Sequence, residues 1–228
     1  MHADEHKHAV NEHMVIIGLS GCTGAGKSTL CEGLARHTPL RVVSCDDFFL
    51  PKEDCPRFDL MGLPWENGVV PAAFAKRGDA DTNVPASVDW EGVLSAVDEA
   101  VASAPGDVSA SSTIIVDGLL LFGDHPGAQK VLARCDHCAV MWTDGDDAKA
   151  ILRTRKYTRS HLGKPSYQQR GVSEAEYSVY FDHYVWPSWL THGASRVPPE
   201  ALKLESCRLE TDALVEMLLA TGWFPTLT

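Results

Sequence analysis

Gly21-Cys22-Thr23-Gly24-Ala25-Gly26-Lys27-Ser28-Thr29 fills the pattern G-x-x-x-x-G-K-[ST] at every fixed position. These residue types at this spacing suit a polyphosphate. Glycines let the backbone curl tightly enough to aim several N–H groups at one anion, and a helix starting just after them adds positive potential. Lys27 is then placed to reach the β and γ phosphates as a point charge, and the Ser28 hydroxyl to ligate Mg²⁺. The alternative is a Gly-rich turn before an ordinary helix.

Carboxylates supply the next candidate chemistry. Asp46-Asp47-Phe48-Phe49 follows the short apolar run Arg41 to Cys45. Paired aspartates at a strand end can accept a proton from a hydroxyl or hold Mg²⁺ through water, or they can form a solvated acidic turn. Asp117 closes the run Ser112 to Gly118 and suits the acidic partner of a phosphate loop, or the cap of the next turn. Arg153-Thr154-Arg155-Lys156-Tyr157-Thr158-Arg159 is the densest basic run in a chain of net charge -11. Such a run is either a solvated face or a lid over phosphoryl oxygens. Cys135-Asp136-His137-Cys138 is a lone C-x-x-C; with no second pair to complete a zinc site, ordinary packing is expected.

The elements that must carry these residues follow from apolar periodicity. Met14 to Ser20, Arg41 to Cys45, Ser112 to Gly118, His137 to Trp142 and Ala201 to Glu205 read as buried parallel strands. Between them, helices are expected after Lys27, from Asp89 through Val93, Leu94, Val97 and Val101, over Ala128 to Arg134, and from Thr143-Asp144 through Ala148 and Ile151. Further helices are expected from Ser173 towards Trp189, kinked by Pro187, and over Glu210 to Ala220 with Leu214, Met217 and Leu218 inward. Residues 50–87 are rich in Pro, Gly and Asp and read as a long excursion, with a turn of helix over Ala72 to Lys76. It either covers a substrate or is an elaboration.

A chain of 228 residues with this alternation can bury one α/β core, expected over 14–228 behind a polar tail at 1–13. That tail carries His2, His6, His8 and His13, a loose set with no fixed ligand geometry. The acidic balance argues against a general nucleic-acid or anionic-membrane surface. Seven cysteines, an odd number without a secretory leader or a membrane-length apolar run, point to reduced thiols and a cytoplasmic protein. A monomer or homodimer is expected.

Several stretches together resemble the nicotinamide riboside kinases, within the uridine-kinase-like phosphate-loop kinases. They are Ile16 to Thr29, Val43 to Phe49, Ile114 to Phe122, Thr154-Arg155-Lys156-Tyr157, and Tyr180-Phe181-Asp182-His183-Tyr184-Val185-Trp186-Pro187. The last is the most discriminating, and with its spacing the likeness runs from Val15 to about Leu218. It implies a phosphate-loop NTPase fold with a parallel sheet of about five strands, helices on both faces and a lid over 153–172. It also implies ATP-dependent, Mg²⁺-assisted phosphorylation of the 5′-hydroxyl of a riboside. On that likeness Asp46 accepts the proton and stands near the metal with Ser28 and Asp117, the last where the family usually has Glu. Asp47, Phe48 and Phe49 line the substrate site, Asp89 grips the ribose hydroxyls, Arg155 is the lid's phosphate-binding arginine and joins Lys27 and Mg²⁺ in spreading charge from the transferring group, and Tyr157 packs on the base ring.

Two departures bear on specificity. Val88 occupies the position where the family often has an aromatic that sandwiches the base, leaving Trp90 or the excursion to replace it. The family's adjacent lid arginines align with Ile151 and Leu152, leaving Arg153 to substitute on the phosphates, or Arg159 or Arg170.

Overall fold

The computed structural model describes residues 14–103, 113–143, 145–162 and 171–224. Its centre is a five-stranded, all-parallel sheet: β1 (Val15–Gly21), β2 (Leu40–Ser44), β3 (Thr113–Gly118), β4 (His137–Trp142) and β5 (Leu202–Glu205), in the order β2-β3-β1-β4-β5. The five expected strands are present, each within a residue of its expected bounds. β3 lies between two neighbours and under helices on both faces, and each of its residues is buried. That explains why Thr113-Ile114-Ile115-Val116 reads as a continuous rather than alternating apolar run.

Alternate side chains nevertheless go to different layers. Ile17, Leu19, Ile115, Ala139, Met141 and Leu204 face a core closed by α1 (Lys27–Leu34) and the last helix (Thr211–Leu219). Val43, Ile114, Val116 and Val140 face the opposite core, closed by Val93 and Val97 of the helix Trp90–Ala102 and by Val131 of the helix Pro126–Leu132. This period of two is the pleat of the strand read out as packing. On the last helix the inward set is Leu214, Val215 and Leu218, while the expected Met217 is 37% exposed. Val215 is inward because α1 approaches closely there: a Cβ on Gly33 would lie 2.7 Å from Val215 Cγ2. Val101, at the end of its helix, is likewise exposed.

Three features of the chain's second half bear on the site. The helix Gly145–Tyr157 carries the basic run and winds on more widely through Thr158–Leu162. The helix Glu174–Tyr180 begins with a capping box between Ser173 and Glu176. It then runs on to Gly193 through widened π-type turns at Phe181–Val185 and Trp189–Gly193. Pro187 sits between those turns without stopping the helix, because wider winding absorbs its missing N–H and its ring.

The excursion has its own order. It contains the short helix Ala72–Arg77, and buries Cys55, Leu63, Trp65 and Phe74. Phe58 stacks on Tyr184 at 3.6 Å between ring centroids, and Phe74 lies 4.9 Å from Tyr180, so this segment is docked on the long helical run. The Tyr184 hydroxyl donates to buried Asp81, whose backbone carbonyl accepts from Ser87. The tail at 1–13, Asp144 and the stretch 163–170 of the expected lid lie outside the described residues. Among the described residues no helix is long and apolar enough to cross a membrane.

Candidate active site

Every strand points its C-terminal end at one edge of the sheet, and the candidate residues collect there. β1 delivers the phosphate loop, in which Gly24 and Gly26 take left-handed backbone conformations (φ 85° and 97°). Gly24 has no alternative: a Cβ there would stand 2.6 Å from the Leu152 carbonyl oxygen on the basic helix. Register then aligns Ser44 and Leu19 beside Asp117, so the ends of β2, β3 and β1 meet. β2 passes directly into the turn Cys45–Phe48, which carries Asp46 and Asp47.

Lys27 is the hub of this edge. Its ammonium donates to the Gly21 carbonyl at 3.0 Å and stands 3.9 Å from Asp117 Oδ1. Asp117 is buried, and burial holds its carboxyl above the usual carboxylate range; Lys27 opposes that rise, while the charges of Asp46 and Asp47 add to it. Asp117 beside Lys27, with Asp46 lining the same hollow as Lys27, leaves negative charge that a divalent cation would stabilise. Ser28, exposed at the helix start, completes an oxygen donor set of the kind Mg²⁺ takes alongside phosphates. Among the described residues there is no group of three or more His, Cys, Asp or Glu arranged as a metal site.

Two hollows flank the loop. The first, of about 250 Å³, brings Thr23, Lys27 and Asp46 together with Phe49, Phe74, Tyr177 and Tyr180. The second, of about 300 Å³, is lined by Gly24, Ala25, Gly26, Thr29 and Arg155 together with Ser206 and Leu209 beyond β5. Arg155 is fixed there by a 2.8 Å hydrogen bond to the Ser206 carbonyl. One side of the phosphate loop therefore faces a polar groove, the other an aromatic-walled cavity.

Not every expected residue lines these hollows. Gly21 and Cys22 are buried beneath the loop. Val88 pairs with Phe49 across an antiparallel bridge and is buried in the core with Trp90, so neither provides a ring face. Asp89 stands next to Phe48, whose carbonyl accepts its N–H, and one oxygen of its carboxylate caps the following helix at Gly92. Phe48 packs on the same core, while exposed Asp47 touches neither hollow. Arg153, expected on the phosphates, is turned away into an ion pair with Asp182 of the long helix. Tyr157 donates to the Val172 carbonyl and lies 5.6 Å from Tyr177, one ring behind the cavity wall.

The excursion supplies what Val88 lacks. Ala73, Phe74, Thr82 and Asn83 all line the cavity. Their only sequence sign was the turn of helix over Ala72 to Lys76. Tyr177 and Tyr180 belong to the stretch that carries the family likeness or directly precede it, yet spacing alone does not aim them at Asp46. Cys135 and Cys138 are free thiols raised to about 12 and about 11 chiefly by burial, as packing cysteines are.

The chain is similar to nicotinamide riboside kinase 1 of Mus musculus, 27% identical over 208 residues that cover 86% of this chain and 88% of that protein. The Homo sapiens protein of the same name is 24% identical over 213 residues, covering 89% of each. Among solved structures, one from Silicibacter sp. TM1040, titled as a fructose transport system kinase, superposes with a TM-score of 0.51 at 20% identity, over 83% of this chain and 88% of that one. The chain has the fold of the phosphate-loop kinases. Its reaction class is phosphoryl transfer to an alcohol, and its five-stranded parallel sheet is the fold those kinases share. No family model matches it.

Proposed function

We propose that this kinase transfers the γ-phosphoryl group of ATP to the 5′-hydroxyl of a riboside, with nicotinamide riboside as its acceptor and nicotinamide mononucleotide as product. The observation that carries this reading is the shared cavity: Lys27 and Asp46 line the same space as Phe49, Phe74, Tyr177 and Tyr180. A hydroxyl beside Asp46 and a planar ring among those aromatics is the shape of a nucleoside. A cationic ring gains further from aromatic faces, by about 0.5–2 kcal/mol. The names of the full-length relatives point the same way.

In this reading the phosphate-loop amides and Lys27 hold the triphosphate, and Arg155 closes its outer side. Asp46 accepts the hydroxyl proton as the new O–P bond forms. Ser28, Asp46 and Asp117 hold Mg²⁺, which when bound supplies charge neutralisation of the phosphates. Asp89 keeps its free carboxylate oxygen for the ribose hydroxyls. Reduced cysteines and the acidic surface fit a soluble cytoplasmic setting.

Turnover with ATP and Mg²⁺ should be compared on nicotinamide riboside, uridine, cytidine and pantothenate. The expected result is the highest kcat/KM on nicotinamide riboside. Phosphorylation of uridine or cytidine alone would transfer the reading to a pyrimidine nucleoside kinase. ATP binding with transfer to none of them would make the chain a nucleotide-dependent binding protein.

A further inference from the structure

Four cations sit in the basic run at 153–159, and the structure divides them among three places. Arg153 is paired with Asp182, and both side chains are largely enclosed, at 24% and 22% exposure. Arg155 is anchored to the Ser206 carbonyl and lines only the nucleotide groove, as does Arg159. Lys156 lines both hollows: the acceptor cavity with Lys27 and Asp46, and the groove with Gly24, Ala25 and Gly26.

Two other features tie Lys156 to the phosphate loop. A Cβ on Gly24 would lie 3.4 Å from Lys156 Cβ and 2.6 Å from the carbonyl oxygen of Leu152, one helical turn earlier. This face of the helix therefore rests directly on the loop. Lys156 also acts weakly beneath it: the buried Cys22 thiol, pushed up to about 12 by burial, is drawn back down by Lys27, by a backbone hydrogen bond at Thr23 and, least, by Lys156.

We propose that Lys156 is a catalytic residue that meets the phosphoryl group in transit from the groove to the cavity, doing there what Arg153 is placed to do by sequence but not by structure. The inference rests on the kinase reading above. In the step, the bond from the γ phosphorus to the β–γ bridging oxygen breaks and its electron pair leaves with ADP. The bond from the acceptor oxygen forms, and the acceptor proton passes to Asp46. Lys156 stays protonated throughout and stabilises the charge spread over the three equatorial oxygens, a term that matters most at the transition state.

The test uses the full chain with Lys156→Met, Lys156→Arg and Arg153→Met, each checked for folding by circular dichroism. Lys156→Met should lower kcat on nicotinamide riboside by about 100-fold or more, as loss of a transition-state donor does, with ATP affinity and acceptor KM held within about 3-fold. Lys156→Arg should recover most of that loss. Arg153→Met should change kcat by less than about 3-fold, since its charge faces Asp182. A second arm needs no acceptor: ADP with aluminium fluoride, which mimics the transferring group, should raise the melting temperature of the wild type beyond ADP alone. Lys156→Met should abolish that increment. An undiminished increment, or kcat within about 3-fold of wild type, would overturn the assignment. If no riboside is phosphorylated, the proposed function fails while the aluminium fluoride arm still decides Lys156.

Discussion

The two hollows beside the phosphate loop are built in different ways. The groove has a local floor, one loop of consecutive residues, Gly24 to Gly26, shaped by two left-handed glycines and the start of α1, under walls brought by the basic helix and by the segment after β5. The acceptor cavity is assembled from afar. Phe74 comes from the excursion, Tyr177 and Tyr180 from the helix starting at Glu174, and Asp46 from the turn after β2. Phosphate recognition needs backbone amides, which any sequence with the right glycines can present. Acceptor recognition needs side chains of particular shape, and a kinase can change acceptor by changing what it docks over one end of a constant loop.

Substitutions sharpen or break that contrast. The largest effect is expected at Asp46→Asn, which keeps the hydrogen-bonding shape but removes the base. Its kcat should fall by about 10²–10⁴-fold while ATP affinity, measured by titration calorimetry, stays near wild type. Full activity in that variant would remove Asp46 from its role. Next is Phe74→Ala, at a side chain only 4% exposed between Trp65 and Tyr180. Chemical denaturation should show a loss of about 3–5 kcal/mol, and acceptor KM should rise with little change in ATP affinity. Equal damage to both substrates would mean that the two hollows are not independent.

The smallest effect concerns Asp117. Burial raises its folded-state pKa, so between the ordinary carboxylate value and the raised one the folded protein holds a proton that the unfolded chain has lost. Stability of the ligand-free protein should therefore fall as pH rises through that window. Asp117→Asn should flatten the fall in calorimetric scans taken upward in pH from the ordinary carboxylate value. The same variant should lose activity and weaken the effect of added Mg²⁺ on melting temperature. A steeper fall in the variant would show that Lys27, 3.9 Å away, outweighs burial.

How far the sequence carried each of these residues follows from the range of the interactions involved. The strands, the loop and the capped helix at Ser173 were legible because hydrophobic period and cap chemistry act within a few residues. Met217 and Val215 exchanged places because which of two neighbouring apolar residues turns inward depends on how closely a facing helix approaches, here at Gly33. Arg153 looked like a phosphate ligand because density of charge is visible in sequence, whereas its partner Asp182 lies 29 positions away.

By itself the sequence determined the phosphate loop, the five parallel strands and the edge where Lys27, Asp46 and Asp117 had to meet, because the pleat and the glycines leave the backbone few choices there. Only the tertiary structure decided that the Pro-rich excursion is a wall of the acceptor cavity and that Lys156 faces both hollows. Those outcomes depend on contacts between segments distant in the chain, such as Phe74 with Tyr180 and Gly24 with Leu152. No local pattern encodes which distant surface a segment will find, since that is settled by the packing of the whole core.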